Sequence, residues 1–377
     1  MKKIVILGNV NNKWIFEYVN NVLLDDDTQV FILSEEEKHK SYFDGFSNIK
    51  VFMCMPNIII QRMRLGMILY GYNVMQILRR IGKVDCIHIQ YASLRKLFLL
   101  RFLHDYSSKI VVTYWGSDLL RVSERILKIH DKWLKNADIV TVGSSSMEEY
   151  FVQKFSSAIQ EKLRVVRFGV PGIEPIMDMN PNIETLKRKW GVPPKKVVLT
   201  IGYNGSKQQN HIPVINAIGK LDKDIRDKLF LLLPMTYGMT EEYLNTVINS
   251  ADSYHFDYLI LKEYVSSPLM AELCYITDVF IHAQNTDAFS ATVQEFLCAE
   301  KLLLNPIWIQ YHELDTEKVF YLKYNSFDEI AGIIFSYLAN GLSEDELKAL
   351  KRNRKIICDL SSWKKLRENW RTILYMK

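Results

Sequence analysis

The sequence has 377 residues and a formal net charge of +5; 48% of the residues are hydrophobic, 12% aromatic and 24% charged. A chain of this length leads to an expectation of two domains, and its composition excludes a disordered, fibrous or disulfide-stapled protein. The five cysteines, Cys54, Cys86, Cys274, Cys298 and Cys358, are scattered among mostly apolar neighbours without a CxxC pair. That pattern points to a reducing compartment and plain core packing, and against a structural zinc site.

The chain opens MKKIVILGNV. Its apolar run, Ile4 to Leu7, is interrupted by Gly8 and Asn9, whereas a signal h-region needs about 7–15 apolar residues. The run reads as a first buried β-strand. No uninterrupted stretch approaches the roughly 18 residues of a bilayer span, so a cytoplasmic protein is expected, peripheral at most on the inner face of the cytoplasmic membrane.

In chain order, strand-like runs at Lys3–Leu7, Gln29–Leu33, Ile49–Met53, Asp85–Gln90, Lys109–Tyr114, Asp138–Val142 and Leu163–Arg167 alternate with helical spacing at Trp14–Leu24, 57–82, Ser93–His104 and Ser146–Phe155. Repeated βα alternation argues for a parallel sheet covered by helices. Residues 171–194 break the rhythm with Pro171, Gly172, Pro175, Pro181 and the pair Pro193–Pro194, and read as an interdomain linker around a short helix, Ile183–Trp190. A second series follows, with strands at Lys196–Ile201, Lys228–Pro234, Tyr258–Leu261, Thr277–His282 and Leu302–Asn305, and with helices at His211–Leu221, Glu241–Ala251, Pro268–Tyr275 and Phe289–Glu300. The last segment, Ser361–Met376, is basic and amphipathic. The expected domains are 1–175, a linker at 176–194, 195–360, and a C-terminal helix at 361–377 that crosses back to the first domain.

In doubly wound sheets ligands bind beyond the C-terminal ends of the strands, so the loops after strands carry the candidate chemistry. The first, Gly8-Asn9-Val10-Asn11-Asn12, lacks GxGxxG spacing and no acid closes the second strand, which speaks against a nicotinamide cofactor. Asn9 belongs to an ordinary turn or to a loop touching acceptor or phosphate. In the second, Thr113–Asp118, Gly116 permits a sharp turn beside Trp115. Asp118 is suited to capping a helix from Leu119, to holding a sugar hydroxyl, or to orienting an acceptor. The third, Gly202-Tyr203-Asn204-Gly205-Ser206-Lys207, exposes backbone N–H groups ahead of a helix, an arrangement that cradles a diphosphate, with Lys207 as counter-charge. In the fourth, seven residues separate Asp287, in a loop, from Glu295, inside an apolar helix. A buried carboxylate there needs a polar partner, such as a ribose diol.

Two further features are weighed. Asp25-Asp26-Asp27 and Asp222-Lys223-Asp224 read as surface turns rather than metal-binding DxD motifs. His88 and His282 end apolar strands and suit either a satisfied core or a site; His88 is carried as an acceptor-side candidate, and His211 as a cap or support of the third loop. Charge is uneven: the excess of five lies wholly in 1–180, and 51–100 holds seven basic residues against one acid, Asp85. Residues 57–83, with Arg62, Arg64, Arg79 and Arg80, and 93–102, with Arg95, Lys96 and Arg101, combine those charges with large apolar side chains. Such helices suit an anionic membrane surface or an ordinary core; nucleic acid is not expected as a partner.

The strings VVTYWGSD, NADIVTVGSSSMEEYF and KLRVVRFGV, then VVLTIGYNGSKQQNH, CYITDVFIHAQNTDAFSATVQE and a terminal SSW, resemble the family-4-like glycosyltransferases of the GT-B fold over most of the chain. The run GYNGSKQQNH with LLLPMTYG also resembles the Fuc4NAc transferases. The resemblance implies an α/β fold of two Rossmann-like βαβ domains facing each other across a cleft. It implies transfer of a hexosyl or N-acetylhexosaminyl group from a nucleotide-sugar to a glycan or lipid-linked glycan, retaining, without metal or other cofactor. By resemblance, Asp287 faces the donor sugar as a catalytic residue with Asp118. Glu295 binds the ribose, and Gly202, Asn204, Gly205, Ser206, Lys207, Phe289 and Ser290 hold the donor. Asn9, His88, Trp115 and Gly116 lie on the acceptor side. The chain departs from the pattern at three places: Asp287 replaces a glutamate, Tyr203 an arginine and Trp115 a histidine. A nucleotide-sugar epimerase of similar fold and a catalytically silent GT-B scaffold subunit are the alternative readings.

Overall fold

The computed structural model describes residues 2–25, 27–54, 66–287 and 289–375. The chain divides into two compact units, Met1–Gly169 with Trp363–Lys377, and Val170–Ser362.

The first unit is built on a seven-stranded parallel sheet: β1 (Lys2–Leu7), β2 (Thr28–Ser34), β3 (Ile49–Met53), β4 (Cys86–Gln90), β5 (Ile110–Thr113), β6 (Ile139–Val142) and β7 (Leu163–Val165), in the order β3-β2-β1-β4-β5-β6-β7. Strand β4 is buried along its whole length, polar His88 and Gln90 included, as expected of a parallel strand covered on both faces. Helices cover both faces. The surrounding cores contain Leu97, Leu103, Leu134 and Phe151 in one cluster and Val19, Val22 and Trp370 in another.

The second unit repeats the plan with six parallel strands: β8 (Val197–Ile201), β9 (Leu229–Pro234), β10 (Asp257–Leu261), β11 (Val279–Ile281), β12 (Leu302–Pro306) and β13 (Leu322–Tyr324), in the order β10-β9-β8-β11-β12-β13. In each sheet the strand order reverses once, between β1 and β4 and between β8 and β11. At such a switch point the flanking loops leave in opposite directions and open a crevice. The Gly8–Asn12 and Tyr91 loops flank the first switch. The Gly202–Ser206 loop and the 282–290 loop flank the second.

Several segments depart from the sequence reading. Residues 171–194 are not a free linker: the helices Ile173–Asp178 and Ile183–Lys189 fold onto the second unit. Ile173 and Ile176 are buried, and the Tyr275 hydroxyl donates to the Ile176 carbonyl at 2.6 Å. Apolar residues between the prolines overrode the breaker signal. The Ser93–His104 stretch forms two short helices, Leu94–Leu97 and Leu100–Leu103. Of the long basic stretch, Gly66–Ile81 is helical, while 57–65 lies outside the described residues.

The terminal helix Trp363–Tyr375 belongs to the first unit. Trp370 is fully buried, its ring 5.2 Å from Tyr18 and 5.0 Å from Phe168, and its indole N–H donates to the Arg167 carbonyl at 2.9 Å. Arg371 adds a 3.0 Å ion pair to Asp25. Burying an indole of this size fixes the helix far more strongly than that partly exposed pair.

Candidate functional site

In the second unit, β8 delivers the chain into the Gly202–Ser206 turn. Gly202 takes φ +65°. A Cβ at that position would meet Gln209 Oε1 at 2.9 Å and His211 Nε2 at 3.0 Å, so both the dihedral and the space demand glycine. Asn204 is buried, and its Oδ1 accepts the Ser206 amide at 2.9 Å. Gly205 donates to the Tyr237 carbonyl at 2.7 Å, locking this loop to the one after β9. Ser206 then caps a short turn, Lys207–Gln209, and the helix His211–Gly219 follows. Its N-cap residue, Asn210, makes no side-chain cap bond and instead donates to the Ala283 carbonyl at 2.7 Å and to Asn285 Oδ1 at 2.8 Å. The helix N-terminus therefore keeps backbone N–H groups and positive dipole character beside a loop of further amides, the arrangement that attracts phosphate.

His211 is fully buried, with Nδ1 3.2 Å from the Tyr243 hydroxyl, and burial lowers its pKa to about 4. It is a neutral support under the loop. Lys207 is exposed, its Nζ 5.9 Å from the centre of the Tyr243 ring.

Across the switch point, β11 leads to His282, Asp287 and the helix Ala291–Cys298. Ser290 is the N-cap, its hydroxyl accepting the Val293 amide at 3.3 Å. Phe289 adopts φ +67°, which is costly for an aromatic residue, and its ring stands 5.2 Å from that of Tyr311. The Asp287 side chain is only 8% exposed. It accepts the Tyr311 hydroxyl at 2.5 Å and the Ser290 amide at 3.0 Å, and Tyr203 approaches it at 3.5 Å. Tyr203 thus joins the loop after β8 to the loop after β11. Sequence reading missed Tyr311: it lies 24 residues beyond Asp287 with no local motif to mark it. Glu295 is buried mid-helix at 8% exposure, with its carboxylate against the backbone of Gly172. Its neighbour Gln294 accepts from the Ser361 hydroxyl and donates to the Phe289 and Ser290 carbonyls.

In the first unit, Asp118 does not sit at a helix cap. It lies in the first turn of Ser117–Leu120, fully engaged with the loop backbone. One oxygen takes the Trp115 and Gly116 amides at 2.8 and 3.0 Å, and the other the Ala92 amide at 2.7 Å. Burial raises its pKa, opposed by those amides. The geometry makes it the organiser of the Trp115–Gly116 turn, where φ is +119° at Gly116. Trp115 is half-buried and donates its indole N–H to Gln90 Oε1 at 2.8 Å. Asn9 folds its side chain back on the Asn11 amide at 2.8 Å.

His88 is a core residue, not a site residue. It is fully buried, bonded to the Tyr18 hydroxyl at 2.8 Å and to Thr113 Oγ1 at 2.6 Å. Burial lowers its pKa to about 3. It sits mid-strand on β4, facing the terminal helix, a placement the sequence could not reveal before that helix was placed. All five cysteines are free. Among the described residues, no three or more histidine, cysteine, aspartate or glutamate side chains gather as a metal-binding group.

Residues 3–144 match the family model described as "Glycosyl transferase 4-like". The whole chain superposes on a glycosyltransferase from Rickettsia africae with a TM-score of 0.76 at 14% identity, covering 100% of this chain and 99% of that one. Anabaena HepE, solved in complex with UDP, superposes with a TM-score of 0.72 at 14% identity, covering 99% of each chain. Sucrose-phosphate synthase from Thermosynechococcus elongatus gives 0.65 at 13% identity, covering 98% and 97%. No curated protein matches significantly. The fold is GT-B, and residues 3–144 are similar to the 4-like glycosyl transferase family.

Proposed function

We propose that the protein transfers a hexosyl or N-acetylhexosaminyl group from a nucleotide-sugar to a glycan or lipid-linked glycan in surface polysaccharide or glycolipid synthesis. The observation that carries this reading is the second switch point, where a glycine-rich loop and a helix N-terminus stand beside the buried Asp287, with Glu295 buried in the helix that follows. In this reading the amides of 202–206 and the start of helix His211–Gly219 stabilise the negative charge that develops as the diphosphate leaves. Lys207 swings in from solvent, Glu295 takes the ribose, and Asp287 faces the sugar. Neighbours of the same fold solved with UDP and with UDP-glucose support a uridine donor. The diphosphate is held by amides and one lysine, without metal, and transfer is retaining. The first unit supplies the acceptor side through Asn9, Trp115 and Gly116.

A lipid-linked acceptor is supported by the face of the helix Gly66–Ile81. Ile68 is 61% exposed and Tyr72 59%, and Arg79, seven residues beyond Tyr72, continues the same face. Arg101 lies 4.4 Å from the ring of Phe102, itself exposed. Apolar side chains flanked by arginines suit the boundary of an anionic bilayer, and no helix among the described residues is long and apolar enough to cross one.

The test is a thermal-shift and calorimetric screen of the pure protein against nucleotide-sugars. A ligand at 100 times its Kd adds about 2.7 kcal/mol to the folded state, so a donor raises the unfolding midpoint, and failure of every nucleotide and nucleotide-sugar to do so overturns the reading. Transfer or donor hydrolysis separates an enzyme from a silent scaffold, and a changed sugar without transfer marks an epimerase.

A further inference from the structure

The three departures of this chain from the pattern it resembles include an aspartate at 287 and a tyrosine at 203, and in the fold these two meet. Tyr203 Oη lies 3.5 Å from Asp287 Oδ1. Its own proton goes to Gln284 Oε1 at 2.5 Å, and its ring stacks on His282 with centroids 6.1 Å apart and planes 15° from parallel. The phenol is therefore fixed and stands as a wall beside the carboxylate. On the other side Tyr311 donates to Asp287 Oδ2 at 2.5 Å, and the Ser290 amide donates to the same oxygen at 3.0 Å.

His282 does not supply a counter-charge. Asn305 donates through Nδ2 to the Pro306 and Ile309 carbonyls, which turns its Oδ1 toward His282 Nδ1 at 2.8 Å. Nδ1 must therefore carry the proton, leaving a lone pair on Nε2, 3.7 Å from Asp287 Oδ2. Burial lowers the His282 pKa, keeping the ring neutral, and raises those of Tyr203 and Tyr311, keeping both phenols protonated. A neutral histidine lone pair facing a carboxylate is repulsive. The Tyr311 and Ser290 donors hold the acid against it.

We propose that Tyr311 is the positioning residue of Asp287 and Tyr203 the wall that sets its length, so that an aspartate, and not the longer glutamate, presents its carboxylate to the donor sugar. This rests on the donor reading above. One more methylene would drive the carboxylate into the two phenols, and loss of the Tyr311 hydroxyl would free it to turn away from its fixed orientation.

The experiment measures binding of UDP and of a panel of UDP-sugars to the full-length protein by calorimetry, then repeats it for Tyr311→Phe, Asp287→Asn, Asp287→Glu and the double variant Tyr311→Phe/Asp287→Asn. Expected is that Tyr311→Phe and Asp287→Asn each weaken the best UDP-sugar by about tenfold, the scale of one charged hydrogen bond, while UDP changes less than about twofold. The double variant is no worse than Asp287→Asn alone, and Asp287→Glu fails to restore sugar affinity. Equal losses of UDP and UDP-sugar in a Tyr311→Phe protein that melts normally would reduce Tyr311 to a structural residue and overturn the proposal. Additive losses, or a Glu variant that behaves as wild type, overturn it as well. A wild-type protein that binds UDP but gains nothing from any sugar overturns this proposal alone. One that binds no nucleotide overturns the donor reading and this proposal with it.

Discussion

The carboxylate of Glu295 occupies the space that a side chain at Gly172 would need: a Cβ built there would collide with its Oε1, Cδ and Cγ. The candidate ribose-binding acid is thus packed beneath the segment where the chain enters the second unit. That segment is tied down on both sides, since Val170 donates to the Ser361 carbonyl at 2.8 Å and the Ser362 hydroxyl donates to Glu174 at 2.8 Å.

Gly172→Ala should therefore destabilise the protein by about 1–3 kcal/mol, the cost of forcing an extra carbon into a filled space. It should also displace Glu295. Thermal unfolding and nucleotide binding on the same sample check this: a lowered midpoint is expected with weakened donor affinity. An alanine variant with wild-type stability would show that the carboxylate moves aside at little cost.

Glu295→Gln keeps the shape and removes the charge. It is expected to fold normally and to lose roughly 1.5–3 kcal/mol of nucleotide-sugar affinity, the worth of a hydrogen bond to a charged group. Calorimetry decides, and unchanged affinity would take Glu295 out of the donor site.

Turnover is expected to persist in excess EDTA. The sequence places no DxD at a strand end, and loop amides with a helix N-terminus suffice for a leaving diphosphate. Loss of activity on chelation, restored by Mg²⁺ or Mn²⁺, would show that a divalent ion shares the phosphate site.

Acid should weaken the first unit through His88. Its folded pKa of about 3 lies below the ordinary histidine value near 6.5. The unfolded chain therefore binds the proton more readily, so the neutral ring's contribution is present above about pH 6.5 and is lost as the pH falls toward 3. One such group contributes a slope of up to about 1.4 kcal/mol per pH unit. Urea unfolding at pH 7.5 and pH 5 should show the loss, and His88→Gln should flatten the slope while lowering stability at neutral pH, because Tyr18 and Thr113 lose their partner.

The wild-type protein should sediment with anionic vesicles at low salt and release as salt rises, since exposed charges are screened over about 8–10 Å at physiological ionic strength. Replacing Arg62, Arg64, Arg79 and Arg80 with glutamine should weaken this by about 1 kcal/mol per charge near the surface, with donor binding unchanged. Indifference to anionic vesicles would favour a soluble acceptor.

The two βα series, the parallel sheets and the loops that matter are legible in the residues alone. A strand run such as Leu229–Pro234 is apolar throughout because both faces are covered, and that pattern is local. The glycines at 202 and 205 and the spacing of Asp287 and Glu295 are local too, and they point to the second switch point before any coordinate is known. What those residues touch emerges only once the chain is folded. The fold made Asp118, open in the sequence to capping, sugar-holding or acceptor-orienting roles, the organiser of its own loop, moved His88 into the core, folded the proline-rich 171–194 onto the second unit, and brought Tyr311 and Tyr203 around Asp287. The reason is physical. A strand or a turn is fixed by neighbours a few residues away, whereas the partner of a buried polar group is fixed by the packing of elements far apart in the chain, and no spacing in the sequence records that distance.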